Sequence, residues 1–242
     1  MTLYLILYAI ATTFVSVYIS DRYFENDYSA FLLSKCLLLT PVCIALIKVT
    51  RVSPSIRPLN KYILLGISAI WITYYFAIPT IHTPITWSPP NFILGCVFTI
   101  ILVLFEELIF RVLPFKNFNS NNYSINKHYK YAGLFAAAHM SNFLYTGSLQ
   151  TTINQVSISF GLGLILSGLF IRTKSVILVV LLHFFVNVGQ EYNAIMQHKI
   201  LTYAAFSHID LSLNASTAFV FVYTCLMITI AEGILPRKGI GE

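Results

Sequence analysis

The chain has 242 residues, of which 57% are hydrophobic and 10% charged, with 15 Lys+Arg against 9 Asp+Glu for a formal charge of +6. A soluble domain carries roughly 25% charged residues. A mean hydropathy of +0.76 excludes an ordinary water-soluble fold, a disordered chain, and a nucleic-acid binder with one continuous basic patch. What remains is an all-α, polytopic protein of the lipid bilayer.

A helix needs about 20 apolar residues to cross roughly 30 Å of hydrocarbon. Eight runs of that order lie between charged or Pro/Gly/Asn-rich breaks, at about 2–20, 29–48, 62–82, 91–113, 131–147, 150–171, 175–190 and 214–235. The first lacks a basic n-region and a small-residue cleavage site, so it is expected to stay as a membrane helix. In the sixth run Ser159, Gly163 and Ser167 recur every four residues, a stripe that lets membrane helices approach closely. Residues 191–213 are too polar to span and too apolar for a free loop, which predicts an interfacial or re-entrant helix on the outer side. Cys36, Cys43, Cys96 and Cys225 all fall inside apolar runs and read as small packing residues rather than a disulfide or zinc framework. With no repeat and no low-complexity stretch, residues 1–242 read as one membrane domain.

The basic residues orient it. With a cytoplasmic amino terminus, Lys48, Arg51, Arg57, Lys61, Arg111, Lys116, Lys127, Lys130, Arg172, Lys174, Arg237 and Lys238 all collect on the inner side, leaving Arg22, Lys35 and Lys199. Both termini are then cytoplasmic. Lys35, near the outer end of the second run, can snorkel to the interface. A composition rich in Ile, Asn, Tyr and Phe hints at an AT-rich genome, and the expected location is a bacterial plasma membrane.

Ionisable groups inside membrane helices are costly and tend to be functional. The fourth run ends in FEELIFRVLP, with Glu106, Glu107 and Arg111 in its last two turns; the fifth carries His139, and the seventh has His183 and Asn187 four residues apart on one face. At 1.5 Å per residue Glu106 lies roughly 10 Å from the inner end of its helix, and each histidine roughly 12 Å. That agreement predicts one buried site in the cytoplasmic half of the membrane. Glu107 and Arg111, at i,i+4, could simply neutralise each other. Glu106 points about 100° away from Glu107, so Arg111 cannot easily serve both.

A carboxylate beside a neutral imidazole can hold a water and take its proton, while a second His and an Asn donate to the oxygen of an attacked carbonyl. No serine or cysteine nucleophile lies at that level; Cys96 is ten residues before Glu106. One-step attack by activated water therefore fits better than a covalent route. One Glu and two His can also ligate zinc, with Glu106, His139 and His183 as the set. An HExxH helix is absent, and Glu107, the remaining base, is committed to Arg111, so the metal-free glutamate mechanism is favoured.

At these residues the chain resembles the CPBP family of intramembrane proteases, the CAAX-protease and bacteriocin-processing (Abi) group. Its EExxxR motif is matched by Glu106, Glu107 and Arg111, FxxxH by Phe135 and His139, and HxxxN by His183 and Asn187. The motif region covers about 91–190. The resemblance implies about eight membrane helices around a catalytic cavity open to the cytoplasm, cleaving peptide bonds in membrane-associated proteins or peptides. It also implies Glu106 and His139 activating water and an oxyanion hole from His183 and Asn187. Asn142, one turn after His139, either faces the cavity or serves as a packing amide. His128, in the loop after the fourth run, and His82, His198 and His208 toward the outer side are read as too far away to join. Two other readings stand beside the protease: a non-catalytic membrane immunity or partner protein of the same fold, and a small proton-coupled transporter, against which the absence of inverted repeats counts.

Overall fold

The computed structural model describes residues 2–23, 28–50, 88–116, 124–143, 147–196, 210, 212–213 and 215–235. Among these the chain is helical: α1 (Thr2–Tyr23), α2 (Tyr28–Thr50), α3 (Pro89–Glu107, running on through Leu108–Val112 to Phe115), α4 (Ile125–Ala138, continued by His139–Asn142), α5 (Leu149–Thr173), α6 (Val176–Met196) and α7 (Ala215–Ile234). The expected run at 62–82 lies outside the described residues. Four segments are long and apolar enough to cross a membrane, Ser29–Thr50, Pro89–Phe115, Leu149–Thr173 and Thr217–Ile234, with shorter apolar helices at Tyr4–Ser20 and Val176–Val188. The chain is an integral membrane protein.

The expected interfacial segment is corrected in its first part: α6 runs unbroken to Met196, so 191–196 prolong the seventh apolar run. At the far end of that segment Asp210 pairs with the start of α5, its N–H donating to the Gly147 carbonyl at 2.9 Å while the Leu149 N–H donates to the Asp210 carbonyl at 2.8 Å. Residues 197–209 fall outside the description.

α5 is the central post. Its apolar window is 78% buried, against 33–44% in the other three long spans. Small residues make this possible on two sides. A Cβ on Gly163 would stand 3.2 Å from Phe135 Cδ1 and 3.3 Å from Ala132 Cα of α4, and one on Gly161 would stand 2.8 Å from Met227 Cβ of α7. The stripe thus acts as helix packing, as its spacing predicts. Gly161→Ala is expected to destabilise by about 1–3 kcal/mol, because the Met227 Cβ cannot rotate out of the way. Thermal unfolding in detergent micelles checks this; an unchanged Tm would mean that α5 and α7 separate freely.

Outward faces are apolar, with Leu33, Leu37, Phe219, Val222 and Leu226 exposed, as a lipid-facing surface requires. Cys225 is exposed as well, whereas Cys36 and Cys43 are buried. At the end of α7, Arg172 Nε and Nη2 of α5 donate to the Ile234 and Leu235 carbonyls, meeting acceptors that the helix leaves unpaired. Polar groups are buried at the other extreme: Glu107, Arg111 and His128 have no exposed surface.

Candidate active site

The site begins with a defect in α3. Pro114 has no N–H to offer the Phe110 carbonyl, and its ring would clash with that carbonyl in a regular helix. The backbone answers by widening: Leu108–Val112 form a π turn, closed by the Leu113 N–H donating to the Leu108 carbonyl. Such turns inside α-helices are frequent at functional sites. Here it follows directly on Glu106 and Glu107 and contains Arg111.

Glu107 and Arg111 are an ion pair, as their spacing predicts, with Arg111 Nη1 3.2 Å from Glu107 Oε1. The pair is not closed on itself. His183 Nδ1 of α6 donates to the same Glu107 oxygen at 2.8 Å, so Glu107 bridges a guanidinium and an imidazole. A carboxylate oxygen can only accept, which puts a proton on Nδ1 and directs the other ring nitrogen elsewhere. His183 Nε2 accepts from Asn187 Nδ2 at 3.2 Å and stands 3.6 Å from Glu106 Oε2.

Glu106 faces differently from its neighbour. Its side chain is 30% exposed where that of Glu107 is 0%, and its Oε2 has no hydrogen-bond partner. Glu106 is therefore open to a small polar molecule, while Glu107 is buried with its Oε1 shared between Arg111 and His183.

His139 stands where α4 tightens from an α-helix into a 3₁₀ turn, His139–Asn142. Its Nδ1 donates to the Phe135 carbonyl at 3.0 Å, which leaves Nε2 with its lone pair available. The ring is half-exposed and lies within electrostatic reach of Glu106, His183 and Lys35. Depth along the helix is larger than the sequence reading put it, because α4 begins at Ile125 rather than near 131.

Phe135 joins the parts. It is 1% exposed, carries the Arg111 guanidinium over its face with Cζ 4.1 Å from the ring centroid, and meets the rings of His139 and His183 edge-on at 4.9 and 5.7 Å. Gly163 of α5 backs it without a side chain. The cation over an aromatic face is stabilised by the ring quadrupole where water cannot reach.

Seven of the eight residues singled out by sequence come together: Glu106, Glu107, Arg111, Phe135, His139, His183 and Asn187. Asn142 does not join them; its Nδ2 donates to Gln155 Oε1 of α5 at 2.8 Å, a packing amide. His128 corrects the sequence reading in the other direction. It is no loop residue but sits in the first turn of α4, fully buried, with its ring 6.4 Å from Phe115 and within electrostatic reach of Arg111. The signal was present: His128, Ala132, Phe135 and His139 fall at i, i+4, i+7 and i+11, one face of a helix. Glu232 is exposed on α7 and accepts from Tyr129 OH at 2.6 Å. His82, His198 and His208 lie outside the described residues.

Burial and the neighbouring Arg111 charge push the His128 pKa down to about 4. An unfolded histidine titrates near 6.5, so the unfolded chain binds the extra proton first and stability falls as pH drops from about 6.5 through 4. His128→Phe is expected to remove about 3 kcal/mol of that acid-dependent loss. Tm measured from pH 7 to 4 for both proteins checks it; parallel curves would refute the assignment.

Zinc requires three protein ligands about 2.0–2.2 Å from one point. Among the described residues no three His, Cys, Asp or Glu side chains converge in that way. As arranged, Glu106, His139 and His183 do not fit a zinc ligand set.

The class follows from these parts: an all-helical integral membrane protein holding two glutamates, two histidines, an arginine and an asparagine in one buried cluster. Residues 86–189 match the family described as Rce1-like, type II CAAX prenyl endopeptidase Rce1-like. Every residue of the three motifs lies inside the matched range. No curated protein and no solved structure matches the chain.

Proposed function

We propose that the protein is an intramembrane endopeptidase that hydrolyses peptide bonds of membrane-associated proteins or peptides, of the CAAX type that the family's name describes, by glutamate-activated attack of water. The observation that carries this reading is the division of labour between two adjacent carboxylates: the Glu106 side chain is 30% exposed, and Glu107 is wholly buried with its Oε1 held between Arg111 and His183.

Glu106 and His139 Nε2 each accept one O–H of a water. The water oxygen attacks the carbonyl carbon, the new C–O bond forms, and its proton passes to Glu106. Negative charge gathers on the former carbonyl oxygen beside His183 and Asn187. The second N–H of Asn187 donates to it, and Glu107, accepting from His183 Nδ1, fixes the ring whose Nε2 holds the Asn187 amide in place. The C–N bond then breaks and Glu106 returns its proton to the leaving nitrogen. This reading needs no covalent intermediate, and Cys96 precedes Glu106 by ten residues, about 15 Å along α3.

The test is mass spectrometry of membrane peptides from cells carrying the wild-type chain against cells carrying Glu106→Gln with His139→Ala. Products present only with wild type, and still formed by purified protein after exhaustive chelation, are expected. Identical peptide sets would favour a non-catalytic partner or immunity protein, and activity lost on chelation and restored by zinc would overturn the metal-free route.

A further inference from the structure

His139 owes its orientation to a change of helix type. In a regular α-helix its backbone N–H would donate to the Phe135 carbonyl, four residues back. Here that N–H donates to the Ala136 carbonyl, three residues back, at the entry to the 3₁₀ turn His139–Asn142. The Phe135 carbonyl is thereby left to the imidazole, whose Nδ1 donates to it at 3.0 Å. Nδ1 keeps the proton, and Nε2 keeps the lone pair that a water needs. A 3₁₀ turn has poorer hydrogen-bond geometry than an α-helix, so something must hold it. Ser141 does not, since its hydroxyl donates to the Ala138 carbonyl at 2.8 Å and ties the segment only to itself.

The hold comes from α5, which receives this segment at two points. Gly163 admits the Phe135 ring, and Gln155 Oε1 accepts from Asn142 Nδ2 at 2.8 Å. Eight residues of α5 separate those points, about 12 Å. On the facing segment, four α-helical steps from Phe135 to His139 and three 3₁₀ steps on to Asn142 also cover about 12 Å. Seven α-helical steps would cover about 10.5 Å and turn Asn142 by about 60° away from its present direction. Either change breaks the bond to Gln155. Both amides are half-buried, where such a bond is stronger than in water.

We propose that Gln155 and Asn142 are a positioning pair for His139. Their hydrogen bond holds the 3₁₀ turn against α5, which frees the Phe135 carbonyl and so fixes the imidazole with Nε2 available to the attacking water. Gln155 lies in none of the three motifs, and the pair acts through His139 rather than on the substrate. Loss of the bond therefore falls on the chemical step and spares binding. The kinetic consequence rests on the peptidase reading; the state of the His139 ring does not.

The experiment uses full-length protein in phosphatidylcholine vesicles with isotope-labelled histidine and a farnesylated CAAX peptide. Gln155→Met and Asn142→Leu keep side-chain volume and remove the bond. Each is expected to lower kcat about ten- to hundredfold with KM within about threefold of wild type. The double variant should lose no more than either single one, because both remove the same interaction. The exchange Asn142→Gln with Gln155→Asn keeps the combined length and should return kcat to within about threefold of wild type. In nitrogen NMR of the rings, the His139 signal, assigned by its loss in His139→Ala, should report the Nδ1–H tautomer in wild type and a mixture in Gln155→Met. Three results overturn the assignment: kcat of Gln155→Met within about threefold of wild type, single losses that multiply in the double variant, or an unchanged His139 tautomer. The last holds also when activity and Tm fall together, which marks a merely structural contact. Failure of the peptidase reading looks different: wild type cleaves nothing, or Glu106→Gln cleaves as wild type does, while Gln155→Met still shifts the tautomer and the positioning pair stands.

Discussion

Glu106→Gln is expected to lower kcat by about 10³–10⁵-fold while leaving KM within about threefold of wild type. Gln keeps the shape and the hydrogen-bonding reach of Glu but cannot take a proton, so a substrate still binds and the attacking water is not activated. The neighbouring change separates base from scaffold. Glu107→Gln keeps the free carboxylate of Glu106 but weakens the hold on Arg111 and His183, so it should cost stability as well as rate. Single-turnover cleavage of a farnesylated CAAX peptide in proteoliposomes gives kcat, and Tm of the same preparations verifies folding. If correctly folded Glu106→Gln retains kcat within tenfold of wild type, Glu106 is not the base and the proposed mechanism falls.

The helices were legible because a membrane span is written as a long apolar run, and the seven described helices coincide with runs in the chain. The ends were less so. α4 starts at Ile125 with a turn of Asn, Lys, His and Tyr that reads as loop, yet His128 is buried because it continues the face bearing Phe135 and His139. Within the site, what two residues on one helix do was readable from spacing: Glu107 reaches Arg111 and His183 reaches Asn187 across four residues. What joins one helix to another was not. That Glu107 also binds His183, or that Arg111 rests on Phe135, depends on where α3, α4 and α6 cross. That crossing is set by Gly163 admitting Phe135 and by the π turn that Pro114 imposes. Asn142 shows the same limit: its position one turn past His139 is a helical fact, but a 3₁₀ turn begins there, and the amide is carried to Gln155.

Arg111→Met should be the most destabilising single change in the cluster, by about 3–5 kcal/mol, because it leaves Glu107 as a buried charge with only His183 to face it. Arg111 is itself wholly buried, and Met is of similar length and apolar, so lost packing is a minor part of the effect. The cation over Phe135 goes as well, which frees the ring that both histidines touch. The double variant Glu107→Gln with Arg111→Met removes both charges together and should recover part of the loss, since an apolar pair needs no compensation in a dry interior. Denaturation in detergent micelles of wild type, both single variants and the double closes the cycle. A coupling of at least about 1 kcal/mol is expected; losses that add within about 0.5 kcal/mol would mean that Arg111 and Glu107 stabilise the fold independently. Recovered stability should not bring recovered activity, because the double variant still lacks the carboxylate that holds His183 Nδ1. A double variant as stable and as active as wild type would remove Glu107 from the mechanism.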